Sequence, residues 1–119
     1  METIKLFDSE LKLMEILWGN EPVSARDLSL IAAKCLGWNK NTTYTVIKKL
    51  VSKNYVRRTE PNFICTSVIR KEEVAAAETR NLIEKLYEGS KKAFFAAFIQ
   101  EGSLTGEELD EIKKLIEKR

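Results

Sequence analysis

A chain of 119 residues, 44% hydrophobic and 32% charged, is long enough for one globular domain with a helical extension and too hydrophobic to be disordered. The net charge of +2 is unevenly placed, because residues 28–59 contain seven basic and no acidic residues, whereas residues 72–119 contain 11 acidic and 8 basic ones. The lack of histidine excludes a histidine-dependent catalytic triad, and with two cysteines and no glycine-rich phosphate loop we predict neither an enzyme nor a bound metal or cofactor.

The sequence also bears on cellular location. The longest apolar run, Ala93–Ile99, has seven residues, far fewer than the roughly 20 that a membrane-spanning helix needs. The first five residues contain no basic stretch followed by an apolar run, so no secretory signal is predicted. We therefore expect a cytoplasmic protein without membrane insertion. Both cysteines, Cys35 and Cys65, lie among apolar residues and are expected to be buried thiols.

Two helices are predicted near the start of the chain. The first spans about Asp8–Trp18 and is capped by its first residue or by Ser9. After a short extended piece at Pro22-Val23, the second begins at a Ser24 cap and runs to about Cys35, where a glycine ends it. The residues expected to point inward are Leu11, Met14, Leu17 and Trp18 in the first helix and Leu28, Ile31, Ala32 and Cys35 in the second.

The third predicted helix, Lys40–Lys53 with Asn39 as its cap, has two contrasting faces. Its apolar stripe consists of Thr43, Val46, Ile47 and Leu50. Its opposite stripe is polar and basic, contains no acidic residue, and consists of Asn41, Tyr44, Thr45, Lys48 and Ser52. A face that is merely solvated usually mixes glutamate with lysine, so this pattern favours contact with a polyanion such as DNA.

Two short strands are predicted at residues 55–58 and 63–66, with turn-forming residues between them. Three helices followed by a hairpin predict a winged helix-turn-helix, in which the third helix enters the major groove and the hairpin touches the flanking backbone. Asparagine can pair with adenine and lysine with guanine or phosphate. The candidate DNA contacts are Lys40, Asn41, Thr42, Tyr44, Thr45, Lys48 and Lys49 in the helix, with Arg57 or Arg58 and Asn62 in the wing.

Three more helices are predicted, at about 70–87, at about 90–100 and after a Thr105 cap. They carry more large apolar side chains than three short helices can bury: Leu82, Leu86, Phe94, Phe95, Phe98, Ile99, Leu109, Ile112, Leu115 and Ile116. Pairing with a second copy would bury them, and packing on the winged helix is the alternative. The predicted fold is therefore mostly helical with a small β-hairpin, comprising a DNA-binding domain at 1–69 and a helical dimerisation domain at 70–119.

Three segments, Glu10–Trp18, Gly37–Thr45 and Lys49–Lys53, resemble the penicillinase repressor family, which includes β-lactamase, methicillin-resistance and copper-responsive repressors. The resemblance spans about Ile4–Glu117 and rests on two patterns. These are Leu-x-x-Met-x-x-Leu-Trp in the first helix and Trp-x-x-x-Thr-x-x-Thr at the start of the third. It implies a homodimer that represses transcription from a palindromic operator, with the C-terminal helices forming the dimer interface.

In the antibiotic-resistance branch, the resemblance further implies release from DNA when a membrane sensor protease cuts the C-terminal helical region. The matching bond here is Ala97-Phe98, and Ala97 stands where the family usually has asparagine. No cysteine follows Cys65, so the cysteine-rich metal motif of the copper branch is missing. Two alternatives stay open: a winged-helix module that docks on an acidic protein partner, and a repressor released by a small ligand.

Overall fold

The structure is a computed structural model that describes residues 4–119. Residues 1–3, which belong to the segment predicted to lack a secretory signal and to the predicted domain 1–69, lie outside the described residues. Within residues 4–119 the elements are α1 (Asp8–Asn20), β1 (Val23–Ser24), α2 (Ala25–Leu36), α3 (Lys40–Ser52), β2 (Val56–Thr59), β3 (Ile64–Ser67), α4 (Lys71–Tyr87), α5 (Lys91–Gln100) and α6 (Gly106–Glu117). The prediction of a mostly helical fold with a small β-hairpin is confirmed.

The three strands form one antiparallel sheet in the order β1-β3-β2. Strands β2 and β3 are the predicted hairpin, and each begins one residue later than expected. Strand β1 adds a third member to the sheet by pairing Val23 with Cys65 and Ser24 with Ile64. Two residues are too few to show a strand periodicity, so the sequence predicted only an extended segment at this place.

The first residues of α1 and α2 test the predicted helix caps. Ser24 caps α2, because its hydroxyl oxygen accepts a hydrogen bond from the amide of Asp27 at 3.0 Å. The predicted cap of α1 is wrong: the helix begins after Phe7, whose amide donates to the Glu10 carboxylate at 2.8 Å. The glutamate at the third helical position thus satisfies the amide of the N-cap residue itself, and the Phe7 side chain accepts no hydrogen bond from the first turn of α1.

The core of the winged helix lies between α1, α2, α3 and the sheet. Its most deeply buried large side chains include Leu13, Met14, Leu17, Leu28, Ile47 and Leu50. The predicted inward faces of α1 and α2 need correction, because Leu11, Trp18 and Ile31 are only half-buried and Cys35 is exposed. Residues 10, 13, 14 and 17 form the buried stripe of α1 instead. The half-buried indole of Trp18 donates from Nε1 to the carbonyl oxygen of Ile69 at 3.1 Å.

One carboxylate is buried in this core. Glu10 is only 1% exposed, and its Oε1 lies 2.7 Å from Nζ of Lys53. The Lys53 ammonium also lies 4.8 Å from the centre of the Phe7 ring. This ion pair joins the start of α1 to the residue that follows α3, so it helps to fix α3 along its axis.

The chain forms two compact units that meet inside α4, between Glu78 and Thr79. The first contains the winged helix. In the second, the ring of Phe94 packs edge-on against Tyr87 at 5.5 Å between centroids and is stacked with Phe98 at 6.3 Å. Among residues 4–119, no helix has the length and apolar character needed to cross a bilayer.

The two thiols are expected to react at very different rates. Cys35 is exposed, whereas Cys65 is completely buried, and burial raises the pKa of the Cys65 thiol to about 11. Because this pKa lies well above 8, Cys65 stays protonated at pH 8. Only the thiolate is nucleophilic, so Cys65 should be unreactive in the native protein. An aromatic disulfide reagent should modify one thiol in the native protein and the second only after unfolding. The Cys35→Ser variant should show no fast phase; a fast phase that remained would contradict the burial of Cys65.

Candidate nucleic-acid interface

The orientation of α3 is set by its buried stripe. Thr43, Val46, Ile47 and Leu50 are all buried, as predicted. Since successive residues of an α-helix are about 100° apart, this stripe places Asn41, Thr45 and Lys48 on the opposite side. All three are exposed. The helix therefore presents an asparagine, a threonine and a lysine along the middle of its solvent face, with no carboxylate from residue 40 to residue 52.

The polar groups on this face are available to a ligand to different degrees. The hydroxyl of Thr45 donates to the carbonyl oxygen of Asn41 at 2.9 Å, so its oxygen is left chiefly as an acceptor. Asn39, the confirmed cap, accepts from the amide of Thr42 at 2.8 Å. Within the described residues, the side-chain amide of Asn41 makes no hydrogen bond. Its donor and acceptor can therefore both serve an adenine edge.

The basic residues of the acid-free segment are not all equally free. Lys53 is paired with Glu10, and Arg58 is paired with Glu60. In the part of the chain that the structure describes, the five others form no salt bridge; these are Lys34, Lys40, Lys48, Lys49 and Arg57. The positive charge of this segment that no carboxylate neutralises therefore comes from these five residues, three of which belong to α3.

The wing is built around Arg58 and Phe63. The guanidinium carbon of Arg58 lies 3.9 Å from the centre of the Phe63 ring. Nε of Arg58 donates to Oε2 of Glu60 at 2.6 Å, and the amide of Phe63 donates to Oε1 of the same carboxylate at 3.4 Å. Asn62 and Phe63 have φ of 73° and 50°, in the left-handed region. This tight turn places the Phe63 ring against Arg58.

The wing is also joined to α3. The rings of Phe63 and Tyr44 meet edge to face, with centroids 6.2 Å apart, and Nζ of Lys40 lies 5.7 Å from the centre of the Tyr44 ring. Tyr44 is half-buried and lies on the wing side of α3, away from the middle of its exposed face. Sequence reasoning did not single out Phe63, because its pattern within a short strand is the same whether its ring packs in the core or supports an arginine.

The structure brings the predicted DNA-contact residues into one region of the first compact unit. Those from α3 lie on its exposed side or flanks, and Arg58 and Asn62 are exposed in the wing. Thr42 and Lys49 lie on the flank opposite Tyr44. Their contacts with DNA stay predictions. Among the described residues, no cluster of three or more histidine, cysteine or acidic side chains is arranged to hold a metal ion.

Comparison with known proteins bears on this architecture. The family model described as penicillinase repressor matches residues 6–118. The chain belongs to the penicillinase repressor family. Members of this family are transcriptional repressors and not enzymes.

Several curated relatives align with this chain over nearly its whole length. The methicillin resistance regulatory protein MecI of Mammaliicoccus sciuri is 22% identical over 120 residues, covering 99% of this chain and 98% of that protein. The penicillinase repressors of Bacillus licheniformis and Staphylococcus aureus are 20% and 24% identical, and each match covers 95% of this chain.

Solved structures show the same fold. The solution structure of the DNA-binding domain of the repressor BlaI matches with a TM-score of 0.55 at 19% identity, over 60% of this chain and 90% of that one. The Bacillus licheniformis BlaI monomer in complex with the blaP half-operator matches with a TM-score of 0.54, also at 19% identity and with the same coverage. The predicted winged-helix fold is therefore confirmed.

The wing of this family member should show a measurable electrostatic signature. The hydrogen bond from Arg58, with a smaller contribution from the amide of Phe63, holds the pKa of Glu60 below its ordinary value. Site-resolved NMR titration should find this lowered pKa, and Arg58→Ala should raise it towards the ordinary value. Any stabilisation from the pair is then present at neutral pH and lost as the pH falls through the lowered pKa. An unchanged Glu60 pKa in Arg58→Ala would contradict the observed pairing.

Proposed function

We propose that this protein is a transcriptional repressor that reads double-stranded operator DNA by placing α3 in the major groove. The observation that carries the proposal is the exposed, carboxylate-free face of α3, with Asn41, Thr45 and Lys48 along its middle. The BlaI monomer, whose fold is shared here, is in complex with a half-operator in its solved structure, which supports the same class of ligand for this chain. The proposal includes a cytoplasmic location, which is where a repressor would meet its operator.

In this proposal the contacts divide into two kinds. Asn41 and Lys48 read base edges or position the helix, and Lys40, Thr42, Tyr44, Thr45 and Lys49 contribute phosphate or methyl contacts along the groove. Arg58 and Asn62 contact the DNA backbone beside it from the wing. Release of counterions from the neutralised phosphates then makes binding strongly dependent on salt.

Two single substitutions test the α3 assignment. We expect Asn41→Ala and Lys48→Ala each to reduce specific binding by about 1–3 kcal/mol. Asn41→Ala removes no charge, so it should leave the salt dependence unchanged, whereas Lys48→Ala should reduce the slope of log K against log salt by about 1 if it contacts phosphate. The measurement is fluorescence anisotropy on duplex DNA from upstream of the protein's own gene, over a salt series.

The matched control is Lys12→Ala, which removes the same charge from the exposed surface of α1. It should change affinity far less than Lys48→Ala. Operator binding that survived both α3 substitutions would overturn the placement of α3. A protein without salt-sensitive binding to any duplex would instead be the interaction module, docking on an acidic protein.

We further propose that the protein acts as a homodimer through residues 70–119, with residues 1–69 binding DNA. The support is the exposure of large apolar side chains in the second compact unit: Leu82, Leu86, Phe95, Phe98, Ile99, Leu109, Leu115 and Ile116 are 36–67% exposed. Phe94 and Ile112 are half-buried. Each large apolar side chain contributes on the order of 1.5–3 kcal/mol when it is fully buried, so a second copy would gain substantially by covering them.

The proposed interface includes α6, which turns an apolar side and a charged side outward. Leu115 is 66% exposed in the single chain, so Leu115→Asp should not disturb the folding of that chain. In a dimer the new carboxylate would be desolvated without a partner, and we expect the dimer dissociation constant to rise by a factor on the order of ten or more. Sedimentation velocity over a concentration series measures this change.

Lys114→Asp is the control, because it introduces the same carboxylate on the opposite side of α6. It should leave the dimer largely intact. If the unmodified protein sedimented as a monomer at micromolar concentration, or bound its operator as one chain per palindrome, this account of the C-terminal helices would be wrong.

The proposal includes release from DNA by a membrane sensor protease that cuts the Ala97-Phe98 bond. Phe98 is 48% exposed in the single chain but belongs to the surface that the dimer is proposed to cover, so the protease would reach its side chain when this part of the dimer opens. The carbonyl oxygen of Ala97 accepts a hydrogen bond from the amide of Glu101 at 3.0 Å, so the last turn of α5 has to open locally before cleavage. Release by a small ligand is the alternative, and the intact protein would then leave DNA without being cut.

A further inference from the structure

We propose that Glu60 and Phe63 are positioning residues that hold the Arg58 guanidinium ready for a DNA phosphate. This inference rests on the proposed function and deepens it, because it assigns a role in DNA binding to two side chains that carry no positive charge. One of them is an exposed carboxylate in the wing, where a nearby polyanion would repel it.

The contacts of Glu60 explain why a carboxylate is useful there. One of its oxygens accepts from Nε of Arg58 at 2.6 Å, and the other lies 3.4 Å from the amide nitrogen of Phe63, which donates to it. A single side chain therefore fixes both the arginine and the backbone of the turn that carries its aromatic partner. Removing this carboxylate lowers the repulsion of DNA but also frees Arg58, and these two effects have opposite signs.

The remaining donors of Arg58 are the ones that suit a phosphate. Nε is occupied by Glu60, and one face of the guanidinium lies over the Phe63 ring at 3.9 Å. Among the described residues, the two terminal amino groups have no hydrogen-bond acceptor. These groups form a planar fork that can bind phosphate oxygens, and holding the fork still before DNA arrives reduces the ordering cost of binding.

Phe63 also sets where this fork stands relative to α3. Its ring contacts Tyr44 edge to face, with 6.2 Å between centroids, so the stack extends from the wing to the flank of α3. The Arg58 fork is thereby held at one position with respect to Asn41 and Lys48. We infer that Phe63 couples the phosphate contact of the wing to the register of α3 in the groove.

The decisive comparison is between Glu60→Ala and Glu60→Gln. If Glu60 acts only through its charge, both variants bind operator DNA more tightly than the unmodified protein, and equally so. If Glu60 positions Arg58, Glu60→Ala binds about three- to tenfold more weakly, the scale of one lost hydrogen bond, despite the loss of a negative charge. Glu60→Gln keeps one acceptor oxygen and should recover part of that loss.

A double substitution and a carboxylate control complete this test. In an Arg58→Ala background there is no guanidinium to hold, so Glu60→Ala should no longer weaken binding and should instead strengthen it slightly. Glu15→Ala removes an exposed carboxylate from α1 and should not weaken binding. Equal or tighter operator binding by Glu60→Ala in the otherwise unmodified protein would overturn the proposal.

Two substitutions test the stacking of Arg58 on Phe63. Phe63→Leu keeps an apolar side chain at position 63, and Arg58→Lys keeps the positive charge at position 58. Both remove the planar stack, and each should weaken operator binding about three- to tenfold with little change in the salt slope. Thermal unfolding checks that folding is intact for the half-buried position 63. A folded Phe63→Leu variant with unmodified affinity would also overturn the proposal.

Failure of this inference is distinguishable from failure of the proposed function. If the unmodified protein binds its operator with steep salt dependence but Glu60→Ala is not weakened, only the positioning role is lost. If the unmodified protein shows no preference for its own upstream DNA over random duplex, the repressor assignment fails, and this inference fails with it.

Discussion

The proposed DNA-binding surface depends on the packing of α3 against the core. Val46, Ile47 and Leu50 are at most 6% exposed, so α3 cannot rotate about its axis without exposing large apolar side chains. Fixing one face of a helix fixes the other, because the angle between successive residues is constant. The buried stripe therefore decides that Asn41 and Lys48 point outward, although neither contributes to the core.

Two basic residues of the acid-free segment form ion pairs that have different roles. Lys53 pairs with Glu10, which is 1% exposed, and so serves the packing of α1 and α3. Arg58 pairs with Glu60 in the solvent, where such pairs add little stability, and so its importance lies in orientation. Among the described residues, the basic residues of the acid-free segment thus fall into three groups: Lys53, paired with a buried carboxylate; Arg58, paired with an exposed one; and five that form no salt bridge.

The two compact units differ in how far they bury their large apolar side chains. The winged helix encloses a core of leucines, isoleucine and methionine, and needs no partner to bury them. The second unit leaves Leu86, Leu115 and Ile116 about two-thirds exposed. Exposing a surface of this kind to water is unfavourable. If a second copy covers it, dimer formation would also present two α3 helices to one operator.

The sequence alone determined much of this protein. Strong local signals predicted the Ser24, Asn39 and Thr105 caps, the buried stripe of α3 and the hairpin, because capping and helical periodicity act over a few residues. Tertiary structure alone decided the burial of Glu10, the exposure of Cys35, the pairing of β1 with β3 and the stack of Arg58 on Phe63. These depend on groups brought together by folding, or on a turn geometry that residue types do not specify, and no short-range pattern records them.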